Sequence, residues 1–432
     1  AIFGSVYSIS GGMVVLAYLI GVAVLALTAS SYAQMVRAFP LSGSVYNYVG
    51  RSLGASFGFL AGWTIMLDYI LVPSLLCLVA SVSMAATVPA IPVWAWLVGF
   101  VVVNTVVNVR GIRMTATFAW IMLVGELAVL AVVLAFGVWA ILSGRGRWTW
   151  APLYDPHTFT WAVVLAATSV AVLSFLGFDG IAMLSEEARG GARVIGRAMA
   201  GVLVLAGVLF IAQTWVAAVL TPDPGALIAQ GDPGGTAFYD AARVAGGPWL
   251  AKLCAVATAI AWGLPDAMVA QVAISRLLYA MARDRQLPRQ LARVSRRHNV
   301  PTTAILVVAG VSLALGLVAS RRADGIPRLA SLINFGALTA FVLLHVAVVV
   351  HYLVRGRSGN LVAHLLIPVV GVGSLGAVMW NANVAAQRLA LGWIGIGVLV
   401  LIGLYVAGRR PVLSGFEPVR RVGASVRGES VR

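Results

Sequence analysis

Four acidic residues stand inside long apolar stretches of the 432-residue chain: Asp68, Glu126, Asp179 and Asp266. A charged carboxylate at the centre of a hydrocarbon layer costs roughly 3 kcal/mol even on a lenient scale. Each side chain is therefore expected to be protonated, to be paired, or to face a wet cavity. A carboxyl group in such a place can hold an organic cation, or can carry a proton when its protonation changes.

Asp179 interrupts its apolar stretch together with two glycines, in the order Gly177-Phe178-Asp179-Gly180. Glycine on both sides of an acid predicts a helix that unwinds at this point. Unwinding frees backbone carbonyls, which could coordinate an ammonium group or a cation. The alternative is an ordinary kinked helix whose acid contacts a neighbouring helix.

The other three acids leave their roles open. Asp68 stands beside Tyr69 in an aromatic setting and fits either substrate contact or a structural role. Glu126 has no base nearby in sequence, so it could carry a coupling proton or be a structural acid. Asp266 could contact an ion or substrate, or serve structure alone. Trp262 and Tyr69 lie deep in their stretches and could line a cavity.

Composition sets the class of protein. Hydrophobic residues make up 61% of the chain and charged residues only 10%, where a soluble domain carries roughly a quarter. Continuous, non-alternating apolar runs predict membrane helices rather than a barrel. The fold class is therefore an all-α polytopic membrane protein with twelve spans. The predicted spans are 1–9, 12–35, 53–86, 92–109, 113–143, 160–189 (interrupted), 194–220, 248–282, 302–320, 328–352, 361–380 and 391–408.

The net charge of +16 raises the possibility of a nucleic-acid partner. Most arginines, however, fall in the loops that this layout assigns to one side, which is the asymmetry expected of cytoplasmic loops. We therefore expect a plasma-membrane protein with both termini in the cytoplasm and no nucleic-acid partner. The segment 409–432 is predicted to be a basic cytoplasmic tail that contacts anionic lipid.

The first span is short, and we expect it to be the outer half of a broken helix whose upstream part is missing. It opens with Ile2, Phe3, Gly4 and Ser5. Backbone N–H groups at a helix start attract anions, so these residues are predicted to face a substrate carboxylate.

Residues that would support other chemistry are missing from the sequence. No zinc-ligand spacing, nucleophile elbow or phosphate-binding loop appears, so we predict neither an enzyme, nor a metal, nor a cofactor. Cys77 and Cys254 fall inside apolar stretches and do not suggest a disulfide framework.

Five motifs in order resemble the amino acid–polyamine–organocation superfamily, most closely its putrescine-importer branch. The motifs are Arg37-Ala-Phe-Pro-Leu-Ser-Gly-Ser-Val-Tyr-Asn-Tyr48, Gly62-Trp63 with Leu67-Asp68-Tyr69, Ser174-Phe-Leu-Gly-Phe-Asp179 with Ser185-Glu186-Glu187, Ser275-Arg-Leu-Leu-Tyr-Ala-Met-Ala-Arg-Asp284, and Leu332-Ile-Asn-Phe-Gly-Ala337. The resemblance covers nearly the whole chain.

The resemblance implies the leucine-transporter fold, with inverted five-helix repeats over about 1–143 and 160–352 and extra helices over 361–408. It implies a secondary transporter of amino acids or polyamines such as putrescine that works by alternating access, with proton symport favoured over sodium. An exchanger, a channel or a sensing receptor on the same scaffold are the alternatives. The substrate-contacting residues that the resemblance implies on the sixth span are Ser174, Phe175, Gly177, Phe178 and Asp179.

One departure concerns ion coupling. Some amino acid transporters of this superfamily have a lysine on the fifth helix that serves proton coupling, whereas this chain has Glu126 there. Glu126 and Asp266 are therefore the candidates for proton or ion coupling in this chain.

Overall fold

The computed structural model is an all-α bundle and describes residues 2–41, 43–146, 148–183, 191–232, 234–295, 298, 300–322, 325–408 and 410–413. The helices are α1 (Ile2–Ile9), α2 (Val14–Ala38), α3 (Ser44–Leu53), α4 (Ala55–Thr87), α5 (Val93–Arg110), α6 (Ile112–Leu142), α7 (Trp161–Ala171), α8 (Gly180–Met183), α9 (Gly191–Val219), α10 (Pro224–Gln230), α11 (Ala237–Gly246), α12 (Pro248–Ala261), α13 (Ala267–Arg283), α14 (Thr302–Ser320), α15 (Gly325–Val349), α16 (Ile367–Trp380) and α17 (Val384–Val406).

Within the described residues, eleven helices are long and apolar enough to cross a membrane. In lipid, backbone groups have no water to bond, so helices satisfy them internally and the apolar side chains face the hydrocarbon. The polytopic all-α class predicted from composition is therefore confirmed. The remaining predicted span is α1, which has only eight residues and cannot cross alone.

One element was missing from the predicted layout. Residues 44–53 form α3, a ten-residue helix between the second and third spans. Hydropathy cannot reveal it, because it is short and its mean composition is polar. It ends at Gly54, whose φ of 116° suits only glycine, and the third span begins at Ala55 rather than at residue 53.

Many of the membrane-spanning helices pack in two groups, and the most enclosed helix belongs to the second. α1, α2, the α7–α8 segment and α9 contact one another, with α2 lying along α9. α4, α5, α12–α13 and α14 form the second group. α4 is the most enclosed span, with 78% of its apolar window buried against 11% for α6 and α17. The division of the chain into two inverted repeats stays a prediction.

A close backbone contact holds α15 against α4. Gly336 of α15 lies so near α4 that an added Cβ would sit 2.9 Å from the Thr64 carbonyl oxygen and 3.1 Å from the Asp68 nitrogen. Any side chain there would push the two helices apart. The sequence motif that contains Gly336 thus sets the position of the backbone beside Asp68.

A reciprocal indole pair fixes α17 to α4. The Trp63 Nε1–H donates to the Trp393 carbonyl at 2.9 Å, and the Trp393 Nε1–H donates to the Trp63 carbonyl at 2.8 Å. The two rings stack with their centroids 4.7 Å apart. The pair satisfies both indole donors without water.

Replacing Gly336 by alanine is expected to destabilise the protein by roughly 1–3 kcal/mol, because the added methyl group overpacks the α4–α15 contact. The measurement is the apparent melting temperature of the purified protein in detergent. Gly376→Ala is the matched control, since the described residues leave open space around that helical glycine. Equal melting temperatures for the two variants would contradict the close contact.

Candidate substrate site

The sixth span breaks where the glycines predicted it. α7 tightens into a 3₁₀ turn at Val172–Phe175, residues 176–179 form turns, and α8 starts at Gly180. Gly177 has φ of 109°, a conformation that needs glycine. The break places Ser174 and Gly177 on a cavity wall.

A second break occurs in the eighth span. A π-helical turn at Trp262–Asp266 joins α12 to α13, because Pro265 has no N–H to continue the regular ladder. Two asparagines of α5 donate to backbone carbonyls in this turn and in the first turn of α13. The Asn104 Nδ2–H donates to the Gly263 oxygen at 2.8 Å, and the Asn108 Nδ2–H donates to the Met268 oxygen at 3.0 Å.

These two asparagines were not singled out from the sequence. Their signal was present, since Asn104 and Asn108 stand four residues apart within an apolar span and therefore share one helix face. Together they hold the widened turn that directs Trp262 and Asp266 at the cavity.

The two breaks border one cavity of about 620 Å³. It lies between the two helix groups, with walls from α1, α2, α4, α6, α9, α11 and both broken spans. Most of the residues predicted for substrate binding or coupling line it. They are Ile2, Phe3, Asp68, Tyr69, Glu126, Ser174, Gly177, Trp262 and Asp266.

The charged residues that line this cavity, among those described, are all acidic. Three carboxyl groups from three different helices line it, and the described lining residues include no lysine, arginine or histidine. Glu126 is half-buried and Asp266 is exposed to the cavity space, whereas Asp68 is only 2% exposed. The Asp68 Oδ1 has no hydrogen-bonding partner among the described residues.

Several polar and aromatic wall residues were missed by the sequence reasoning. Tyr18, Gln213, Thr214 and Thr258 add hydrogen-bonding groups to the cavity, and Phe210 adds an aromatic face. The Tyr18 Oη lies 3.1 Å from the Ser174 Oγ. No motif marks these residues, because each is an isolated side chain brought in by helix packing.

Asp179 lies behind the wall. It is fully buried, and its Oδ2 accepts hydrogen bonds from the Tyr69 Oη at 2.7 Å and the Tyr32 Oη at 3.1 Å. The Asp179 side chain is connected to the cavity by its hydrogen bond with Tyr69, which lines it. The pair Tyr69–Asp179 joins α4 to the broken sixth span and so bridges the two helix groups.

The other predicted contacts also lie outside this cavity. Phe175 packs against Tyr18 and Phe210, and Phe178 packs against Tyr32 and Phe341. They position the break rather than meet a ligand. Gly4 faces Asp232, whose carboxylate occupies the space that a side chain at residue 4 would need.

Ser5 lines a neighbouring cavity of about 400 Å³, which extends to residues 381–383 between α16 and α17. The two cavities share Ile2, Leu75, Leu173 and Trp262 on their walls. The smaller cavity has no acidic residue among its described lining residues. Trp262 therefore lies between the smaller cavity, which has no acidic residue among its described lining residues, and the larger acidic cavity.

Helices broken within their membrane-spanning stretches beside an acidic cavity are typical of membrane transporters. The chain belongs to the amino acid permease family, whose profile matches residues 2–407. It is 30% identical to the low-affinity putrescine importer PlaP of Escherichia coli (strain K12), over 95% of this chain and 90% of that protein. It is a transporter and not an enzyme, as the sequence predicted.

The names of two further relatives indicate different substrates. The branched-chain amino acid permease BcaP of Lactococcus lactis subsp. cremoris is 26% identical, over 90% of this chain and 86% of that protein. The methylthioribose transporter of Bacillus subtilis is also 26% identical, over 90% of this chain and 85% of that protein. The family membership therefore leaves the substrate to be argued from the cavity.

A cysteine at residue 174 is expected to react with thiol reagents, because the side chain lines the cavity. The cationic ethylammonium methanethiosulfonate should react at least about tenfold faster than the anionic ethylsulfonate, since the acidic walls concentrate cations. The native Cys77 and Cys254 are buried, so we expect the reagents to label them little. The measurement is the labelling rate of Ser174→Cys by mass spectrometry.

Thr168→Cys is the matched control for this labelling. Thr168 lies on the same broken span, but it is fully buried and does not line the cavity. Its cysteine variant should stay unlabelled over the same period. Equal rates for the two reagents at residue 174 would contradict an acidic cavity.

Proposed function

We propose that this permease imports a small organic diamine such as putrescine by alternating access. The observation that carries the proposal is the Asp68 carboxyl, which is buried at the cavity wall with an oxygen that no described residue satisfies. A buried polar atom without a partner costs about 1–3 kcal/mol. An ammonium group of the substrate would supply the missing partner and charge.

Two further acidic residues on the cavity wall favour a substrate with two ammonium groups over a substrate with one. Glu126 on α6 and Asp266 at the π-helical turn line the same cavity as Asp68. A diamine has a cation at each end and no carboxylate, so it can use both walls. The similarity to the putrescine importer PlaP supports this choice.

An amino acid substrate is the second candidate, and one feature favours it. Ile2 and Phe3, in the first turn of α1, line the cavity. Backbone N–H groups of a first helical turn attract a carboxylate. The amine of such a substrate would still bind Asp68, so the two candidates differ at the opposite end of the cavity.

Alternating access would move the two helix groups against each other. The group of α1, α2, α7–α8 and α9 would rock on the group of α4, α5, α12–α13 and α14. The Tyr69–Asp179 hydrogen bond crosses this boundary and would have to open or shift in the cycle. We infer an orientation with both termini in the cytoplasm of the cell, from the arginine distribution.

We infer that a proton drives the uptake, with Glu126 and Asp266 as its carriers in the cavity. Both carboxyl groups line the same space, and the charge on one disfavours the charge on the other. One proton can therefore be held between them until an ammonium group arrives. Sodium coupling is the alternative that the gradient experiments separate.

Asp68→Asn is expected to reduce putrescine uptake at least about tenfold, because a neutral amide loses the charge that balances a buried ammonium. The measurement is uptake of radiolabelled putrescine into proteoliposomes, with ornithine and 4-aminobutyrate as competitors. Asp240→Asn is the control, since Asp240 pairs with Arg243 on α11 and does not line the cavity. Unchanged uptake by Asp68→Asn would rule out this anchor.

Glu126→Gln is expected to abolish the response of uptake to an inward proton gradient, because an amide cannot bind and release a proton. Equal-pH exchange of putrescine should continue at a lower rate, since the variant also removes one charge from the acidic cavity wall. The measurement compares uptake with the pH and sodium gradients imposed separately. A variant that retains the full response to the proton gradient would show that Glu126 is not a carrier.

A further inference from the structure

A chain of hydrogen-bonded side chains leads from the cavity toward the end of the bundle that the arginine distribution predicts to be cytoplasmic, and it ends at the buried Ser44. The Tyr69 Oη lines the cavity and donates to the Asp179 Oδ2 at 2.7 Å. The Tyr32 Oη donates to the same oxygen at 3.1 Å, and the Ser44 Oγ donates to the Tyr32 Oη at 3.1 Å. The four side chains are each less than 5% exposed.

The last member of this chain stands in an unusual backbone conformation. Ser44 opens α3 with φ of 49°, in the left-handed region that residues other than glycine rarely adopt. Such strain persists only where the surrounding structure imposes it, and it concentrates at functional sites. Here the conformation brings the Ser44 hydroxyl to Tyr32, at the end of a loop whose Pro40 is exposed.

We propose that Tyr69, Asp179, Tyr32 and Ser44 form the path by which the coupling proton leaves the cavity for the cytoplasmic side. This inference rests on the proposed proton-coupled function. It assigns Asp179 a role in proton transfer, although the residue does not reach the substrate. Tyr32 and Ser44 were assigned no role by the sequence motifs.

The transfer balances along the chain. A proton from a cavity carboxyl binds the Tyr69 oxygen while the Tyr69 hydroxyl hydrogen passes to the Asp179 Oδ2. The Tyr32 and Ser44 hydroxyls both donate toward Asp179 in this structure, so they first rotate away from it. Asp179 then passes its proton to the Tyr32 oxygen, as the Tyr32 hydrogen moves to Ser44. The Ser44 hydrogen moves to water when opening of the cytoplasmic side brings water to this buried hydroxyl. One proton enters and one leaves, and rotation of the hydroxyls resets the chain.

Among the residues that the structure describes, two titratable groups outside the chain lie beside it. Asp68 neighbours Tyr69 on α4, and Tyr48 of α3 packs edge-to-face against Tyr32 with ring centroids 6.1 Å apart. Asp68 places a proton-binding group at the cavity end of the path. The Tyr48 hydroxyl has no hydrogen-bonding partner among the described residues, so it lies beside the path without joining it.

The test uses Tyr32→Phe and Ser44→Gly in putrescine-transporting proteoliposomes. Glycine accepts the positive φ at residue 44, so this variant removes the hydroxyl without straining the backbone. Both variants should slow net uptake driven by a proton gradient at least about tenfold, the scale of a lost proton-transfer group. Putrescine counterflow at equal pH needs no net proton release and should stay close to wild type.

Tyr48→Phe is the matched control, because it removes a buried hydroxyl of the same aromatic cluster that is outside the path. It should retain both net uptake and counterflow. Proton release into the lumen is recorded alongside with an entrapped pH dye. The dye signal should fall with net uptake in Tyr32→Phe and Ser44→Gly only.

Three results would overturn the path. Net uptake at wild-type rates in both variants would show that the hydroxyls carry no proton. A parallel loss of counterflow and net uptake would show that they serve structure alone. If uptake by the wild-type protein does not respond to the proton gradient, the proposed proton coupling is wrong, and the proton path is wrong with it.

Discussion

The constraint on which this structure depends is that a polar group inside a membrane must find a partner within the protein. Regular helix satisfies backbone groups by itself, so every interruption of a span requires partners from elsewhere. Asn104 and Asn108 supply them at the π-helical turn. Tyr32 and Tyr69 supply them to Asp179 at the other break. Other buried polar atoms also lack a partner among the described residues, one Asp179 oxygen included, but of these residues it is Asp68 that lines the acidic cavity, where a ligand could reach it.

Much of the fold could be predicted because its signals are local. Long apolar runs give the spans, and the glycines around Asp179 give the break, since both depend only on adjacent residues. α3 escaped prediction because a short polar helix resembles a loop in hydropathy. The π-helical turn escaped because a proline in a span can also produce a simple kink, and only the donors on α5 decide the outcome.

The site was harder to predict, because it depends on partners distant in sequence. Tyr69 and Tyr32 lie 110 and 147 residues before Asp179, and nothing near Asp179 shows that both hydroxyls reach it. The sequence could therefore identify Asp179 as a midplane acid without showing that it lies behind the wall. Gly4 is similar, since its contact with Asp232 arises from a loop more than two hundred residues away.

The adjacency of Asp68 and Tyr69 on α4 gives the two acids a physical connection. Successive helical residues point about 100° apart, so one helix presents a carboxyl to the cavity and a hydroxyl to the broken span. Both groups sit on the most enclosed helix, which Gly336 holds closely against α15. An ammonium group that neutralises Asp68 changes the field at the Tyr69–Asp179 bond. By reciprocity, any change at that bond alters the affinity of Asp68 for the ammonium group. If the proposed ammonium binding at Asp68 holds, substrate binding and the boundary between the helix groups would be coupled through adjacent residues of a single helix.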